Sequence, residues 1–190
     1  MLTTIYMVRH AESPYTAGEE RIRGLSPDGE LKSRQVTELL QDEGIDMIVS
    51  SPYARAMLTV EGLAVKLNLP IETYEDLRER QFADDSYLIR DEQFMIQVQY
   101  MFSDPEYALP GGESSRVCQQ RSVPVLFDLL EQHRGKKIVI GTHGNVMTLM
   151  MNYFDPSYGW DFFIETKKPD IYKMEFQGTR LTQLTRLWKD

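Results

Sequence analysis

The feature that most constrains the fold is a short apolar run near the start of the chain that ends abruptly in a charged pair. Residues 5–8 are all apolar, and Arg9 and His10 follow them directly. Such a run predicts a strand buried on both faces, which is typical of the parallel sheet of an α/β fold. Ligands of open α/β sheets bind at the carboxyl ends of the strands. We therefore expect Arg9 and His10 to lie where a ligand would bind.

Strand-then-helix units repeat along the first part of the chain. Ser26 followed by Pro27 is typical of a helix start, because a serine hydroxyl caps a helix and proline suits its first position. A second apolar run at 47–49 predicts another strand, and the Ser-Ser-Pro segment at 50–52 repeats the helix-start signal directly after it. This pattern predicts that a second helix begins there, with Val65 on its apolar face.

The alternation of strands and helices predicts the fold class. A third strand is expected at 69–74, a long helix at 114–132, a further strand at 138–141 and a closing hairpin over 171–187. These elements predict a single α/β domain over residues 1–190. It is expected to be a three-layer sandwich whose mostly parallel central sheet is flanked by helices.

One segment interrupts the alternation. Residues 83–110 hold aromatic and methionine side chains among acidic residues, and a Pro-Gly-Gly segment at 110–112 closes the stretch. We predict a small helical cap insertion at about 83–110. Ligand specificity is expected to lie in this insertion and in the loop at 14–23.

Composition argues against several classes of partner. The chain has 21 basic and 29 acidic residues and a net charge of -8, which disfavours nucleic acid because phosphate backbones need a basic surface. Its apolar runs are far shorter than the roughly 20 residues of a membrane helix, and the first residues lack a signal-peptide pattern. The single cysteine, Cys118, fits a reducing compartment. We expect a cytoplasmic protein without nucleic-acid or membrane partners, and the oligomeric state is left open.

Two of the three histidines occupy equivalent places in the predicted fold. His10 and His143 each follow an apolar strand, so parallel, central strands would bring both imidazoles to one edge of the sheet. Arg55 falls in the first turn of the second helix, where free backbone N–H groups already favour an anion. Arginine binds phosphate through two parallel hydrogen bonds and stays charged. Together with Arg9, these residues predict a cationic pocket for a phosphate-sized anion.

Four motifs in this order resemble those of the histidine phosphatase superfamily, which includes cofactor-dependent phosphoglycerate mutases and broad-specificity phosphatases. They are Arg-His at 9–10, Ser-Ser-Pro-Tyr-Ala-Arg-Ala at 50–56, Leu-Arg-Glu-Arg at 77–80 and Thr-His-Gly at 142–144. The Pro-Gly-Gly-Glu-Ser segment at 110–114 is also similar to the family's return from the cap to the core.

The resemblance implies a role for each motif residue. His10 would attack phosphorus and become phosphohistidine. Arg9, Arg55 and a protonated His143 would bind the phosphoryl oxygens and supply positive charge without a metal. Glu79 would protonate the leaving oxygen and then activate the attacking water. No cofactor is implied, and no cluster of His, Asp or Glu has convincing metal-ligand spacing.

Two members of the predicted site depend on the resemblance alone. From the residues themselves, Glu12, Glu75 and Asp76 are as acceptable as Glu79 for the general acid. Ser13 matches a position where family members place a hydroxyl that contacts phosphate, so it is expected to bind substrate.

Departures from the mutase pattern favour a phosphatase. Thr16 stands near the position of a substrate-contacting asparagine of the mutases, and the chain is shorter, with a reduced cap. The sequence therefore predicts a metal-independent phosphatase that hydrolyses a small phosphorylated substrate through phosphohistidine. The alternatives are a phosphoglycerate mutase, a catalytically silent phospho-ligand-binding module and a phosphatase of phosphopeptides.

Overall fold

A mixed six-stranded sheet forms the centre of the molecule. The computed structural model describes residues 1–16, 18–84, 87 and 91–189 of the 190-residue chain. The strands are β1 (Leu2–Arg9), β2 (Met47–Ser50), β3 (Ile71–Thr73), β4 (Lys137–Thr142), β5 (Asp170–Gln177) and β6 (Arg180–Arg186). The helices are α1 (Pro27–Leu40), α2 (Ala54–Leu67), α3 (Asp91–Ser103), α4 (Ser115–Gln132), α5 (Gly144–Phe154) and α6 (Trp160–Glu165), and a 3₁₀ turn spans Glu75–Leu77. Within these described ranges, no helix is both long enough and apolar enough to cross a membrane.

The sheet has the order β3-β2-β4-β1-β5-β6. β1 pairs in parallel with β4, β4 with β2, and β2 with β3, whereas β5 and β6 form an antiparallel hairpin at one edge. Gly141 of β4 lies opposite Val8 of β1 on one side and Ser50 of β2 on the other. The carboxyl ends of these three strands therefore meet at one edge of the sheet. The prediction of a mostly parallel sheet is confirmed.

Strand β1 is buried on both faces because helices cover each side of the sheet. Ile5 and Met7 belong to a core that includes residues of α4 and α5. Tyr6 and Val8 belong to a second core with residues of α1 and α2. This is the predicted three-layer sandwich, and burial on both faces explains why the strand is an unbroken apolar run.

The first predicted helix start is confirmed. The Ser26 hydroxyl accepts a hydrogen bond from the Gly29 N–H at 3.0 Å, and Pro27 is the first residue of α1. This cap satisfies one of the backbone donors that every helix N-terminus leaves free.

The second predicted helix start is wrong in its position. Helix α2 begins at Ala54, and Tyr53 rather than Ser51 stands at its N-cap. Ser51 precedes the first turn: its hydroxyl accepts a hydrogen bond from the Tyr53 N–H at 3.2 Å and contacts His143 at 2.8 Å. Val65 was expected on the buried face of this helix, but its side chain is exposed.

Two further differences have simple physical reasons. The third strand covers only Ile71–Thr73, because it is an edge strand that pairs with β2 alone. Helix α6 was not predicted, since its six residues are too short to display a helical repeat. The closing hairpin of β5 and β6 is confirmed.

The predicted cap region at 83–110 contains helix α3. The predicted residues 85, 86 and 88–90 lie outside the described part of the chain. Met101 of α3 is fully buried, and the ring of Phe102 lies 5.4 Å from that of Phe163 in α6. Helix α3 therefore packs against α6, and its function as a cap stays a prediction.

We predict that Gly29→Ala destabilises the protein although alanine is the better helix former. A Cβ at this position would lie 2.2 Å from the carbonyl oxygen of Glu12, which the Ser26 N–H already binds at 3.0 Å. The resulting backbone displacement should cost about 1–3 kcal/mol, more than the roughly 1 kcal/mol of helix propensity gained. Urea denaturation gives the free energy of unfolding. Gly24→Ala is the control, because its Cβ would meet only Leu58 Cδ1, at 3.8 Å. Equal stability of the two variants would contradict the prediction.

Candidate active site

The ends of β1 and β4 bring two of the predicted site residues together. The N–H of His10 donates to the carbonyl oxygen of Thr142 at 2.9 Å, which continues the β1–β4 pairing past Arg9. The rings of His10 and His143 meet edge to face, with their centroids 5.3 Å apart. Both imidazoles thus lie at the carboxyl edge of the sheet, where ligands of α/β folds bind.

Two contacts define the tautomer of His10. Its Nδ1 lies 2.7 Å from the carbonyl oxygen of Ala11, which can only accept, so Nδ1 carries the hydrogen. The Nε–H of Arg55 donates to Nε2 at 3.2 Å, so Nε2 presents a lone pair. Burial, followed by the charge of Arg55, lowers the pKa of His10 well below its usual range. The imidazole is therefore neutral, as a nucleophile must be.

Arg55, in the first turn of α2, is almost completely buried beside His10. Its Nη1 donates to the carbonyl oxygen of Glu20 at 2.5 Å, and its Nη2 pairs with the Glu20 carboxylate at 3.1 Å. The guanidinium also lies against the ring of Tyr53, with Cζ 5.0 Å from the ring centroid. A loop carboxylate therefore contacts an edge of the guanidinium that an anionic ligand could use.

Arg9, the last residue of β1, is anchored by the segment that follows α6. Its Nη1 donates to the carbonyl oxygen of Thr166 at 2.9 Å and also binds the Thr166 hydroxyl. The guanidinium lies against Gly144, where a Cβ would come within 2.8 Å of Cζ. The buried Nε has no hydrogen-bond partner within the described part of the chain. This donor is available to an acceptor on a ligand.

His143 is held by Ser51 from the neighbouring strand end. Its Nε2 lies 2.8 Å from the Ser51 hydroxyl, which itself accepts from the Tyr53 N–H at 3.2 Å. A hydroxyl can both accept and donate, so Ser51 can donate to Nε2, and the ring hydrogen of His143 then lies on Nδ1. None of the described residues accepts a hydrogen bond from this buried Nδ1.

The protonated His143 expected during phosphoryl transfer stays a prediction, and the ligand-free pocket disfavours the charged form. Burial is the main effect that lowers the pKa of His143 well below its usual range, and the neighbouring His10 and Arg55 lower it further. The imidazole is therefore neutral, because it is removed from water and surrounded by groups that are themselves basic.

Glu79 lies on the loop that follows the 3₁₀ turn. Burial raises the pKa of its carboxyl group, although the Arg80 N–H, which donates to Oε1 at 2.9 Å, opposes the effect. The Glu79 charge also raises the pKa values of Arg9 and Arg55, so the three groups are close enough to interact. Burial thus favours the protonated form of the Glu79 carboxyl group, which is the form that a general acid needs.

The other acids considered from the sequence are engaged elsewhere. Glu75 forms an exposed ion pair with Arg21 at 2.7 Å, and this hydrogen-bonded partner lowers its pKa. Glu12 accepts a hydrogen bond from the Ser26 hydroxyl at 3.0 Å. Asp76 is exposed and lies 3.5 Å from Arg78. The environment of Glu79 therefore distinguishes it from these three alternatives.

Ser13 contacts its own loop rather than the histidines. Its hydroxyl donates to the carbonyl oxygen of Gly24 at 2.6 Å and accepts from Nη1 of Arg23 at 2.7 Å. Arg23 in turn binds the Glu20 carboxylate at 3.2 Å, so a chain of polar contacts leads from Ser13 to Arg55. A direct contact between Ser13 and substrate stays a prediction.

Sequence reasoning missed several residues of the pocket. Glu20 and Thr166 carry no local signal, because each contacts an arginine distant in the chain. Ser51 was interpreted as a helix cap, although its place in the 50–56 motif could have indicated its contact with the site. The charge of the exposed Lys168 contributes to the lowered pKa of His10. The buried Oδ1 of Asn145 lacks a hydrogen-bond partner among the described residues.

The assembled pocket is suited to a small oxyanion. Arg9 and His143 each present a buried nitrogen without a hydrogen-bond partner in the described ranges. An unpaired buried donor costs on the order of 1–3 kcal/mol, so a ligand with several acceptor oxygens would be stabilised here. Among the described residues, no group of three or more His, Cys, Asp or Glu side chains could hold a metal ion.

Comparison with known proteins agrees with this geometry. The family model described as histidine phosphatase superfamily (branch 1) matches residues 5–187. Phosphoglycerate mutase-like protein 4 of Arabidopsis thaliana is 30% identical over 98% of this chain and 84% of its own length. The uncharacterized phosphatase PhoE of Bacillus subtilis is 28% identical over 75% of this chain and 72% of its own. The fold is similar to that of a mycobacterial glucosyl-3-phosphoglycerate phosphatase in complex with inorganic phosphate, with a TM-score of 0.78. The two sequences are 20% identical, and the match covers 96% of this chain and 95% of the other.

We predict that the free energy of unfolding falls as the pH drops below about 6.5, the pKa of an unperturbed histidine. His10 and His143 stay neutral in the folded chain because their pKa values are lowered, whereas the unfolded chain takes up both protons. Each histidine should contribute up to about 1.4 kcal/mol per pH unit. Urea denaturation between pH 7 and pH 5 measures this slope. His143→Gln removes one of the two histidines, so it should reduce the slope by up to about 1.4 kcal/mol per pH unit. An unchanged slope would contradict the prediction.

Proposed function

The chain belongs to the histidine phosphatase superfamily, and from the geometry of the His10 pocket we propose that it hydrolyses small phosphomonoesters through a phosphohistidine intermediate, without a metal ion. The observation that carries the proposal is a neutral His10 whose Nε2 lone pair faces a buried arginine. The same arrangement supports both the binding of a phosphoryl group and its transfer to the ring.

The first step forms a bond between Nε2 of His10 and phosphorus while the bond to the leaving oxygen breaks. The Nδ1–H of His10 is bound to the Ala11 carbonyl oxygen, which orients the ring and stabilises the positive charge that develops on it. The Nε–H of Arg55 now donates to Nε2, so it must transfer this hydrogen bond to a phosphoryl oxygen as attack begins. The contact thus converts from one that holds the nucleophile to one that holds the substrate.

Arg9, Arg55 and His143 bind the oxygens of the transferring group. Phosphoryl transfer requires mainly positioning and positive charge around these oxygens. The unpartnered Nε of Arg9 and Nδ1 of His143 supply two donors for them. A bound dianion would also raise the pKa of His143, because it offsets the basic surroundings that lower it in the free protein.

Glu79 handles the protons of both steps. Burial raises the pKa of its carboxyl group and so favours the protonated form, which can donate to the leaving alkoxide. The resulting carboxylate then accepts a proton from the water that attacks the phosphohistidine. Inorganic phosphate leaves, and His10 and Glu79 return to their starting protonation states.

A phosphoglycerate mutase is the second candidate, because the Arabidopsis relative is named mutase-like. A mutase would form the same phosphohistidine but return the phosphoryl group to a sugar acid instead of water. A coupled assay with 3-phosphoglycerate and 2,3-bisphosphoglycerate separates the two functions. Release of inorganic phosphate faster than formation of 2-phosphoglycerate supports the phosphatase, and the reverse order supports the mutase.

We predict that His10→Ala lowers the hydrolysis of p-nitrophenyl phosphate by about 10³-fold or more, because the nucleophile is removed. EDTA should leave the wild-type rate unchanged. His133→Ala is the matched control, since this histidine lies at the C-terminal end of α4. Mass spectrometry of rapidly quenched wild-type enzyme should detect a phosphoryl adduct on His10. Full activity of His10→Ala would refute the proposed function.

We predict that Glu20→Gln strengthens inhibition by inorganic phosphate, because the Glu20 carboxylate competes for Arg55. Removing a partly exposed charge of this kind should lower the inhibition constant of phosphate roughly threefold to tenfold. This corresponds to ~1 kcal/mol of binding free energy. Glu19→Gln is the matched control, because it removes the same charge from the neighbouring residue. Weaker inhibition of Glu20→Gln would show instead that Glu20 holds Arg55 in its binding position.

A further inference from the structure

The loop that carries the proposed acid is held by groups that the mechanism above does not use. Residues 78–81 follow the 3₁₀ turn and belong to no helix or strand. A general acid is effective only when its carboxyl group is held within hydrogen-bond reach of the leaving oxygen. The position of the Glu79 backbone therefore affects the rate of leaving-group protonation. The contacts that hold this backbone come from α4 and from the residue Glu113 that precedes the helix.

Arg121 of α4 binds both ends of the segment that leads to the acid. Its Nη1 donates to the carbonyl oxygen of Asp76 at 2.6 Å, and its Nη2 donates to that of Glu79 at 3.3 Å. Both acceptors are backbone oxygens, so the guanidinium fixes the position of the backbone rather than that of a side chain. One rigid, planar group thereby spans residues 76–79.

Glu113, just before α4, orients this guanidinium. Its carboxylate accepts from Nε and from Nη2 of Arg121, both at 2.8 Å, which is the two-pronged geometry of a strong arginine–carboxylate pair. Only 11% of each side chain is exposed, so solvent screens the pair weakly. The same carboxylate accepts from Nη2 of Arg78 at 2.9 Å and from the Gln81 N–H at 3.2 Å. Glu113 thus joins Arg121 to residues on both sides of Glu79.

The neighbouring Arg80 does not duplicate this contact. Its Nε donates to the carbonyl oxygen of Glu113 and its Nη1 to the Ser115 hydroxyl, both at 2.9 Å. These bonds anchor Arg80 to the start of α4, whereas those of Arg121 reach the carbonyl oxygen of Glu79 itself.

We propose that Arg121, oriented by Glu113, is a positioning residue for the general acid: it holds the Glu79 backbone so that the carboxyl group meets the leaving oxygen. This inference rests on the proposed function, since it requires Glu79 to protonate the leaving group. Arg121 acts through Glu79, because its hydrogen bonds go to the loop carbonyls, to Glu113 and to the sulfur of Cys118.

The test compares substrates that differ in their need for an acid. The nitrophenolate of p-nitrophenyl phosphate leaves readily without a proton, whereas the alkoxide of glycerol 2-phosphate requires one. Arg121→Lys keeps the positive charge but cannot span both carbonyl oxygens. We expect this variant to lower kcat/KM for glycerol 2-phosphate about tenfold or more and to change kcat/KM for p-nitrophenyl phosphate by less than about threefold. A general structural defect would lower both values equally.

Two further variants keep the test interpretable. Arg116→Lys is the matched control, because Arg116 lies on the same helix and forms an exposed ion pair with Glu106. It should leave both substrates nearly unaffected. Glu113→Gln keeps Arg121 but weakens its orientation, and it should show the same selective loss. If Arg121→Lys does not fold, the result for Glu113→Gln decides.

A double variant relates the effect to the acid. Glu79→Gln should itself lower kcat/KM for glycerol 2-phosphate much more than kcat/KM for p-nitrophenyl phosphate. Adding Arg121→Lys to it should cause no further loss of kcat/KM on glycerol 2-phosphate. If Glu79→Gln is selective but Arg121→Lys is not, or if their losses multiply, the positioning role is overturned and the proposed function stands. If Glu79→Gln lowers kcat/KM equally for both substrates, the acid assignment in the proposed function fails, and the positioning role fails with it, because kcat/KM excludes the later hydrolysis of phosphohistidine that both substrates share.

Discussion

The parallel pairing of β1 with β4 is the constraint on which the rest of the pocket depends. It continues past Arg9 through the 2.9 Å bond from the His10 N–H to the Thr142 carbonyl oxygen, which brings His10 beside His143. On the other side of β4, the Ser51 N–H donates to the Gly141 carbonyl oxygen at 2.8 Å. Backbone bonds at three strand ends thus place the two imidazoles and the serine. The rigidity of a sheet covered on both faces is what such a site requires.

The same charges serve two purposes in this pocket. Arg9 is held by a backbone carbonyl and a hydroxyl of Thr166, and among the described residues no carboxylate forms a salt bridge with it. The resulting positive potential favours an anionic ligand. It also adds to burial in lowering the pKa of His10, which keeps the nucleophile unprotonated. One arrangement of buried arginines therefore accounts for both the anion binding and the nucleophile activation that we propose.

Burial moves the acid and the base of the pocket in opposite directions. It lowers the pKa of His10 well below its usual range and raises that of Glu79, so burial favours the neutral form of each group. A neutral base and a protonated acid are the starting state that the proposed attack with leaving-group protonation requires. The two groups differ in their support, since His10 directly follows β1 and continues its pairing with β4, whereas the Glu79 loop is bound by side chains from another part of the chain. This difference makes Arg121 and Glu113 important for the loop.

The sequence by itself determined the features that are local. An apolar run predicted the doubly buried β1, and the Arg-His pair after it was correctly expected at the carboxyl edge of the sheet, because strand burial and strand ends are visible in a few consecutive residues. Only the tertiary structure decided that Ser51 binds His143, that Glu20 contacts Arg55 and that His143 is neutral. These contacts join distant segments, and a buried group takes its protonation state from everything that surrounds it, which no spacing along the chain encodes.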